Sequence, residues 1–195
     1  MTRLHRFVLV SLALVLTATA GCRTPAGSTP DEKRAAVRQM RQETLQKLYS
    51  EAPGARPAVE SAVGYAVFSS VSTKVFVVAS GRGYGIARER ATGKETYMDM
   101  LELGGGVGFG VQDLRQILVF ESQMAWKNFI ENGIEVGGDA DVALKSGEDG
   151  AAIGASENVL SLTTGDVRIF QLTEAGAAAA ATVTAVRYSP STELN

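Results

Sequence analysis

Two aspartates at alternate positions are the residues of this sequence that come nearest to a catalytic pair. The segment GIEVGGDADVAL (133–144) alternates acidic with apolar residues, so Asp139, Asp141 and, one step further away, Glu135 share one strand face. Paired carboxylates can act as general acid and base or bind a hard metal ion. Carboxylates on the wet face of an antiparallel strand are far commoner, and no activating partner is visible in the sequence. The pattern therefore favours a half-buried strand over a hydrolase site.

Histidine and cysteine each occur once, which removes several kinds of active site. His5 and Cys22 both lie near the N-terminus, and His5 is lost if that segment is cleaved. Metal sites built from Cys and His, histidine-activated nucleophiles and histidine general bases are then excluded. Carboxylate chemistry stays open, but it would need a pocket and an activating partner, and neither is visible in the sequence. We therefore expect a non-enzymatic protein without catalytic residues, metal ligands or cofactors.

Five of the seven residues from 104 to 110 are glycine, within the stretch LELGGGVGFGVQ (101–112). A dinucleotide-binding loop needs glycines at positions i, i+2 and i+5, and no start in this stretch gives that spacing. A nucleotide-triphosphate loop needs Ser or Thr after Gly-Lys, whereas Gly93-Lys94 is followed by Glu95. With the two-residue period of a strand, four of the glycines share one face. This bare face suits a sharp bend of the sheet or close approach of another element or a ligand.

Basic residues are concentrated in one half of an otherwise acidic chain. Arginine binds phosphate through paired hydrogen bonds and lysine acts as a point charge, so this half is a candidate headgroup site. The candidate side chains are Lys74, Arg82, Arg88, Arg90 and Lys94. Gly81, Gly83 and Gly85 could expose backbone N–H groups to the same anion, although such glycines more often permit sheet curvature. The alternative is a solvated hairpin in which Glu89 and Glu95 neutralise their neighbours.

The start of the chain resembles a bacterial lipoprotein signal. Arg3 and Arg6 precede the apolar segment FVLVSLALVL (7–16), which is short of the roughly 20 residues that a membrane-spanning helix needs. Small residues at 19–21 then lead into Cys22, as in the lipobox of bacterial lipoproteins. Cys22 is therefore expected to carry lipid through a thioether and N-acylation with a fatty acid such as palmitate.

The expected organisation is a signal peptide (1–21), a lipidated flexible tether (22–30), one domain (31–188) and a C-terminal tail (189–195). Cleavage would remove two of the 19 basic residues and leave 17 against 21 acidic ones, so no nucleic-acid partner is expected. The lipid expected on Cys22 predicts an envelope protein anchored to membrane lipid, and Arg23 after the cysteine, where Asp would resemble an inner-membrane retention signal, favours the outer membrane. In a two-membrane bacterium this would be the periplasmic face of the outer membrane.

The rest of the chain predicts an α+β fold: an antiparallel β-rich domain, barrel-like or a sandwich, with an N-terminal helix and one short internal helix. The first helix is expected to begin at Pro30 and to run to about Glu51, with Thr29 as its cap and Glu32 as the capping-box partner. Its apolar stripe is expected to pack on the core, with a membrane-surface helix as the alternative. A further one or two helical turns are expected at 56–63.

The short internal helix is expected at 122–133, where Ser122 caps its start and Gly133 ends it. Trp126 and Phe129 should anchor this helix to the sheet. Strands are expected at 65–71, 74–80, 81–90, 103–112, 117–121, 133–144, 151–156, 167–172 and in the second half of 177–188, the last two forming a final pair.

Several of these segments together resemble the SYLF domain, a family known from phosphoinositide-binding, actin-associated adaptors of eukaryotes and from bacterial lipoproteins. The resemblance covers about residues 33–188 and is carried by AVGYAVF (62–68), SGRGYGIA (80–87), LGGGVGFGVQ (103–112), ILVF (117–120) with the helix ending near Phe129, and IEVGGDADVAL (134–144). Where the family usually has an aromatic followed by Gly-Leu-Phe-Ala-Gly, this chain keeps Phe170 and Gly176 but has alanines at 177–180. The resemblance implies a β-rich domain packed with helices that binds lipid or anionic headgroups without catalysis.

The sequence therefore predicts a non-enzymatic envelope lipoprotein whose SYLF-like domain binds lipid or anionic headgroups. The alternative is a protein-interaction or envelope-assembly lipoprotein without a lipid site. In that case the glycine-faced strand and the acidic strand 133–144 would contact an envelope protein.

Overall fold

Two antiparallel strands of 26 residues each form the framework of the domain. The computed structural model describes residues 24–136, 159–173 and 183–195. The described helices are α1 (Pro30–Glu51), α2 (Ala55–Ser61) and α3 (Gln123–Asn132). The described strands are β1 (Gly64–Glu89), β2 (Glu95–Phe120), β3 (Ile134–Val136), β4 (Val159–Thr164), β5 (Val167–Thr173) and β6 (Val183–Pro190).

The second long strand, β2, organises the sheet because it pairs on both edges. One edge pairs with β1 along almost its whole length, from Phe120 opposite Gly64 to Glu95 opposite Arg88. The other edge is divided, since residues 114–120 pair with β5 and residues 98–105 pair with β6. The strand β4 then extends the sheet from β5, and β3 extends it from β6. All described pairs are antiparallel, which confirms the predicted α+β class.

The β1–β2 ribbon changes register within the glycine-dense stretch. Phe76 stands opposite Gly108 but Val78 stands opposite Gly105, so β2 holds one residue more than β1 across this interval. An extra residue of this kind is a β-bulge, which bends the strand that carries it and increases its twist. The glycines therefore lie where the ribbon bends, in agreement with the prediction of a bare-faced strand.

The two halves of β1 fold back against each other beyond this bend. A Cβ atom added to Gly83 would lie 2.5 Å from the carbonyl oxygen of Ser69, so the two backbones are too close there for a side chain. At the open end, the Arg90 N–H donates to the carbonyl oxygen of Val63 at 3.0 Å. This contact joins the two ends of the strand and gives the folded ribbon its barrel-like form.

Hydrophobic cores lie on both faces of the folded sheet. The outer core joins α1 and α2 to one face and includes Val37, Leu48, Val59, Ile117 and Phe170. The inner core lies inside the fold and includes Phe68, Phe120, Trp126, Phe129 and Tyr188. The apolar side of α1 is therefore buried on the sheet, as the core-packing prediction requires. The burial of both α3 aromatics confirms that they anchor this helix.

The predicted capping box at the start of α1 is present. The Glu32 N–H donates to Thr29 Oγ1 at 3.3 Å, while the Glu32 carboxylate accepts from the N–H groups of Ser28 and Thr29 at 2.7 and 3.2 Å. These backbone hydrogen bonds to Ser28 and Thr29 lower the pKa of the Glu32 carboxyl, because they favour its ionised form. The helix therefore begins where the sequence predicts, because hydrogen bonds within residues 28–32 fix its first turn.

Thr29→Ala should lower the free energy of unfolding by about 1 kcal/mol, because the Glu32 N–H loses its acceptor. Thr29→Ser keeps that acceptor and should unfold at the wild-type urea concentration. Since the pKa of Glu32 is lowered in the folded state, its contribution is present above the pKa of the unfolded chain and is lost as the pH falls through the folded value. Urea unfolding at neutral and at acid pH measures the free energy of unfolding of both variants. Equal stability of Thr29→Ala and Thr29→Ser would contradict the predicted loss.

The last seven residues, predicted as a tail, pack against α1 and β2. Leu194 is buried, and its carbonyl oxygen accepts from Arg34 Nε at 2.8 Å. The Asn195 side chain accepts from the N–H of Tyr97 at 2.8 Å and donates to the carbonyl oxygen of the same residue at 2.9 Å. Residues 189–195 are therefore built into the domain through contacts that their polar sequence does not reveal.

Several strand predictions need correction or lie outside the described residues. β5 and β6 are both present, but they pair with different halves of β2 and not with each other. β4 was not predicted, and the three segments predicted between 65 and 90 form one strand. Of the predicted strand 133–144, the structure describes Ile134–Val136, with Glu135 exposed. Asp139, Asp141 and the predicted strand at 151–156 lie outside the described residues.

Candidate functional site

The predicted headgroup residues are distributed along the β1–β2 hairpin. Arg82 stands opposite Leu101, whereas Arg88 stands opposite Glu95, close to the turn that carries Arg90 and Lys94. Six residues of strand span about 20 Å, so Arg82 and Arg88 cannot bind the same phosphate. The backbone of Lys74 pairs with Gly110 beyond the bend, and its side chain lies outside the description. The structure therefore separates the candidates into a turn group and the single residue Arg82.

Most basic side chains elsewhere in the domain are neutralised by carboxylates. On α1, Lys33 pairs with Glu193, Arg34 with Asp31, and Arg41 with Glu95. Ion pairs also engage Arg56, Arg115, Lys127 and Arg168. By contrast, five basic side chains make no ion pair with any described residue: Arg82, Arg88, Arg90, Lys94 and Arg187. All five lie on the β1–β2 hairpin or on β6.

The two glutamates expected to neutralise the hairpin point to other partners. Glu95 Oε1 lies 2.5 Å from Arg41 Nη1, and Glu95 Oε2 lies 3.8 Å from Arg38 Nη1. Glu89 accepts a hydrogen bond from the Thr92 hydroxyl within the turn. Neither carboxylate forms an ion pair with a hairpin arginine, so the positive charge of the hairpin is not cancelled in this way.

A row of exposed side chains crosses four strands on the outer face of the sheet. Leu101 on β2 has Arg82 on one side and Arg187 of β6 on the other, and Glu135 of β3 follows Arg187. Directly opposed residues in antiparallel strands point to the same face. Leu101 is 37% exposed, and Leu103, two residues further on the same face, is 54% exposed. Sequence reasoning missed Arg187 and both leucines, because the pairing of β6 with β2 brings residues together that are more than 80 positions apart.

A cleft of about 570 Å³ opens beside this row. Its lining includes Thr24, Arg82, Asp99, Arg187 and Glu193. Burial raises the pKa of the Asp99 carboxyl, and the Glu193 carboxylate adds to the rise while a hydrogen bond with Ser191 opposes it. Thr24, the first described residue, therefore lies at a cleft that both arginines of the row also line.

A second cleft of about 280 Å³ lies between the hairpin turn and α3. Lys94 lines it together with Glu89, Trp126, Lys127 and Glu131. Lys127 Nζ lies 3.9 Å from Glu131 Oε1, so acidic and basic groups are mixed within this cleft. The arrangement does not select an anion as clearly as the outer face does.

The three predicted backbone candidates face the first half of β1. Positions for a Cβ atom on Gly81 and Gly85 lie 3.1 and 2.5 Å from the carbonyl oxygens of Val71 and Val67, in the same manner as Gly83. Carbonyl oxygens repel an anion, so the side-chain side of these glycines offers no anion site. Their close packing is what lets the ribbon fold on itself.

A buried polar cluster lies in the inner core near the bend. The Ser72 hydroxyl donates to Glu102 Oε1 at 3.1 Å, and the Tyr188 hydroxyl donates to Gln116 Oε1 at 2.6 Å. Burial strongly raises the pKa of the Tyr188 hydroxyl, and the Glu102 charge adds to this rise, so the phenol stays protonated as a donor. The described residues hold no group of three or more His, Cys, Asp and Glu that could bind a metal ion. We read the cluster as part of the inner core.

The described part of the chain contains no helix with both the length and the hydropathy that crossing a bilayer requires. The candidate lipidation residue, Cys22, lies outside the described residues, two positions before Thr24.

The fold and its outer face define a small antiparallel α+β domain with a basic hairpin whose arginines form no ion pair with a described carboxylate. No protein-family model matches the chain. The chain is similar to beta cell expansion factor A of Aeromonas veronii, with 31% identity over 160 residues, which are 82% of this chain. The chain spans 58% of the length of that relative.

Proposed function

We propose that this chain is an envelope lipoprotein with a SYLF-like domain, without enzymatic activity, that binds anionic lipid headgroups. The observation that carries the proposal is the group of basic side chains on the β1–β2 hairpin and β6 that form no ion pair within the described part of the chain. The family resemblance and the lipobox before Thr24 support the same direction. Cys22 would attach the domain to the periplasmic face of the outer membrane.

Arginines that have no described carboxylate partner can bind a headgroup at a lower free-energy cost. An arginine in an ion pair must give up that partner before it can bind phosphate, whereas Arg82 and Arg88 have no described carboxylate to release. A basic residue close to an anionic membrane surface contributes about 1 kcal/mol, over a range of about 10 Å at 0.1 M salt. Several such residues can hold the domain on a membrane without a deep pocket.

Residues 24–195 should sediment with phosphatidylglycerol vesicles and not with phosphatidylcholine vesicles, and high salt should weaken the binding. Reversing the charges of Arg82 and Arg88 to glutamate should weaken it at least about tenfold, since each lost arginine is worth about 1 kcal/mol. Lys127→Glu is the matched control, because Lys127 is exposed but paired with Glu131. It should leave binding close to that of the wild type.

Equal binding to both vesicles, or equal effects of the hairpin and control reversals, would contradict a headgroup site. Absence of binding to either vesicle would favour the protein-interaction alternative, in which the sheet contacts another envelope protein.

A further inference from the structure

We infer that the outer face formed by Arg82, Leu101, Leu103 and Arg187 lies flat on the bilayer that anchors the chain, with anionic phospholipid as its partner. This inference, which rests on the proposed function, assigns that function to one surface and orients the domain. We call these four residues the Leu101 face.

The composition of the Leu101 face fits the boundary between headgroups and acyl chains. Arg82 lies on β1 and Arg187 on β6, the two strands that flank β2 at Leu101. Each of these strands is about 4.8 Å from β2. Leu101 and Leu103 are the exposed apolar side chains between and beside them, at 37% and 54% exposure. Arginine stems cover apolar surface while their guanidinium groups reach outward to phosphate. The leucines can then enter the acyl boundary while both arginines bind lipid phosphates.

The path of the chain gives an independent reason to place the bilayer here. Thr24 and Pro25 line the same cleft as Arg82, Leu101 and Arg187. Two residues of chain reach at most about 7 Å, so a lipid on Cys22 would enter the membrane close to this cleft. The proposed lipid anchor and the Leu101 face can therefore contact the same bilayer in a single orientation of the domain.

Other surfaces fit a membrane less well. Elsewhere on the outer face of the sheet, α1 and α2 already cover the surface, since Val37, Leu48 and Val59 pack against it. Around the Leu101 face, Asp99, Glu135 and Glu193 add negative charge at its margins. Glu193 is paired with Lys33, which reduces its repulsion of phosphate. The arginines and leucines together, and not net charge alone, therefore determine the contact.

The test uses the lipidated full-length protein in vesicles of phosphatidylethanolamine with phosphatidylglycerol. Cys22 is the only cysteine in the sequence and is blocked by its lipid, so an introduced cysteine can be labelled alone with an environment-sensitive fluorophore. Leu103→Cys places the label on the Leu101 face. Met124→Cys is the control, because Met124 is 74% exposed and lies on α3, which does not line the cleft beside the Leu101 face.

The label at position 103 should be quenched by a nitroxide lipid and be several-fold less accessible to aqueous iodide than the label at position 124. Adding Arg82→Glu and Arg187→Glu should abolish this protection without changing the signal at position 124.

Equal iodide quenching at the two positions, without nitroxide quenching, overturns the inference. Lipid contact at position 124 alone also overturns it but leaves headgroup binding standing. Protection at position 103 without nitroxide quenching would mean that a protein covers this face, and would equally overturn it. Failure of residues 24–195 to bind anionic vesicles in the separate sedimentation experiment would instead remove the proposed function itself.

Discussion

Gly85→Ala is expected to lower the free energy of unfolding by about 3 kcal/mol or more, because overpacking a close contact strains both sides. A Cβ atom at this position would lie 2.3 Å from Phe68 Cδ1 and 2.5 Å from the carbonyl oxygen of Val67. The backbone atom cannot move without disturbing β1, and the Phe68 ring is held by Tyr188, with ring centroids 4.6 Å apart. Urea unfolding followed by Trp126 fluorescence measures the change.

Gly165→Ala is the control that separates crowding from backbone strain. Gly165 has a φ of +54° and nothing within 4 Å of an added Cβ atom, so its substitution should cost about 1 kcal/mol from strain alone. Gly85 does not have a left-handed backbone, and its expected loss therefore comes from crowding. If Gly85→Ala proved no more costly than Gly165→Ala, the two halves of β1 could not be packed as the structure has them.

Glu95→Gln should lower the free energy of unfolding by about 3 kcal/mol, because it leaves the buried Arg41 guanidinium without its counter-charge. The Arg41 side chain is 6% exposed and the Glu95 side chain 23%, so solvent screens this pair only in part. Arg38 also faces this carboxylate and donates to the Tyr97 hydroxyl at 2.6 Å. This ion pair joins α1 to the start of β2, so the loss should appear as detachment of the helix.

The double variant Arg41→Met with Glu95→Gln should recover much of that loss, since it removes both charges from the buried site. Lys127→Gln, in the exposed pair with Glu131, should change the free energy of unfolding by less than about 1 kcal/mol. Chemical denaturation of the wild type, Arg41→Met, Glu95→Gln and the double variant gives the coupling energy. Losses that simply add in the double variant would show that the two residues do not stabilise each other.

The ends of the helices could be predicted because their causes lie within a few residues. Thr29 with Glu32 fixes the start of α1, and Ser122 with Gly133 fixes both ends of α3. Gly133 has a φ of +72°, a conformation that glycine adopts without strain. Because capping hydrogen bonds and glycine conformations depend on nearby residues, the sequence predicts these helix ends, and the structure confirms them.

Strand pairing could not be predicted in the same way, because it depends on residues far apart in the chain. The alternation of β5 and β6 predicts two strands but does not say which neighbour each one takes. The pairing of Leu101 with Arg187 follows only from the register of β6 on β2. Sequence reasoning therefore found most of the strands and the class of fold, but it missed β4 and the division of the β2 edge between β5 and β6.

The candidate site was accessible from sequence only in part. Clustering of basic residues predicted the hairpin, but whether each one is neutralised depends on the packing of α1. Glu95 is opposite Arg88 in the strand register, yet it pairs with Arg41 because α1 lies over the start of β2. Local spacing cannot reveal that choice of partner.

The divided edge of β2 has a consequence for how the chain reaches its native state. Residues 98–105 obtain their second neighbour from β6, which ends at Pro190, near the end of the chain. Pairings of such high contact order form late, and an unpaired strand edge can template association with other chains. A chain that emerges N-terminus first holds this edge open until β6 has appeared. During synthesis this edge is therefore exposed to aggregation, and a chaperone that shields a single sheet edge would suffice to protect it.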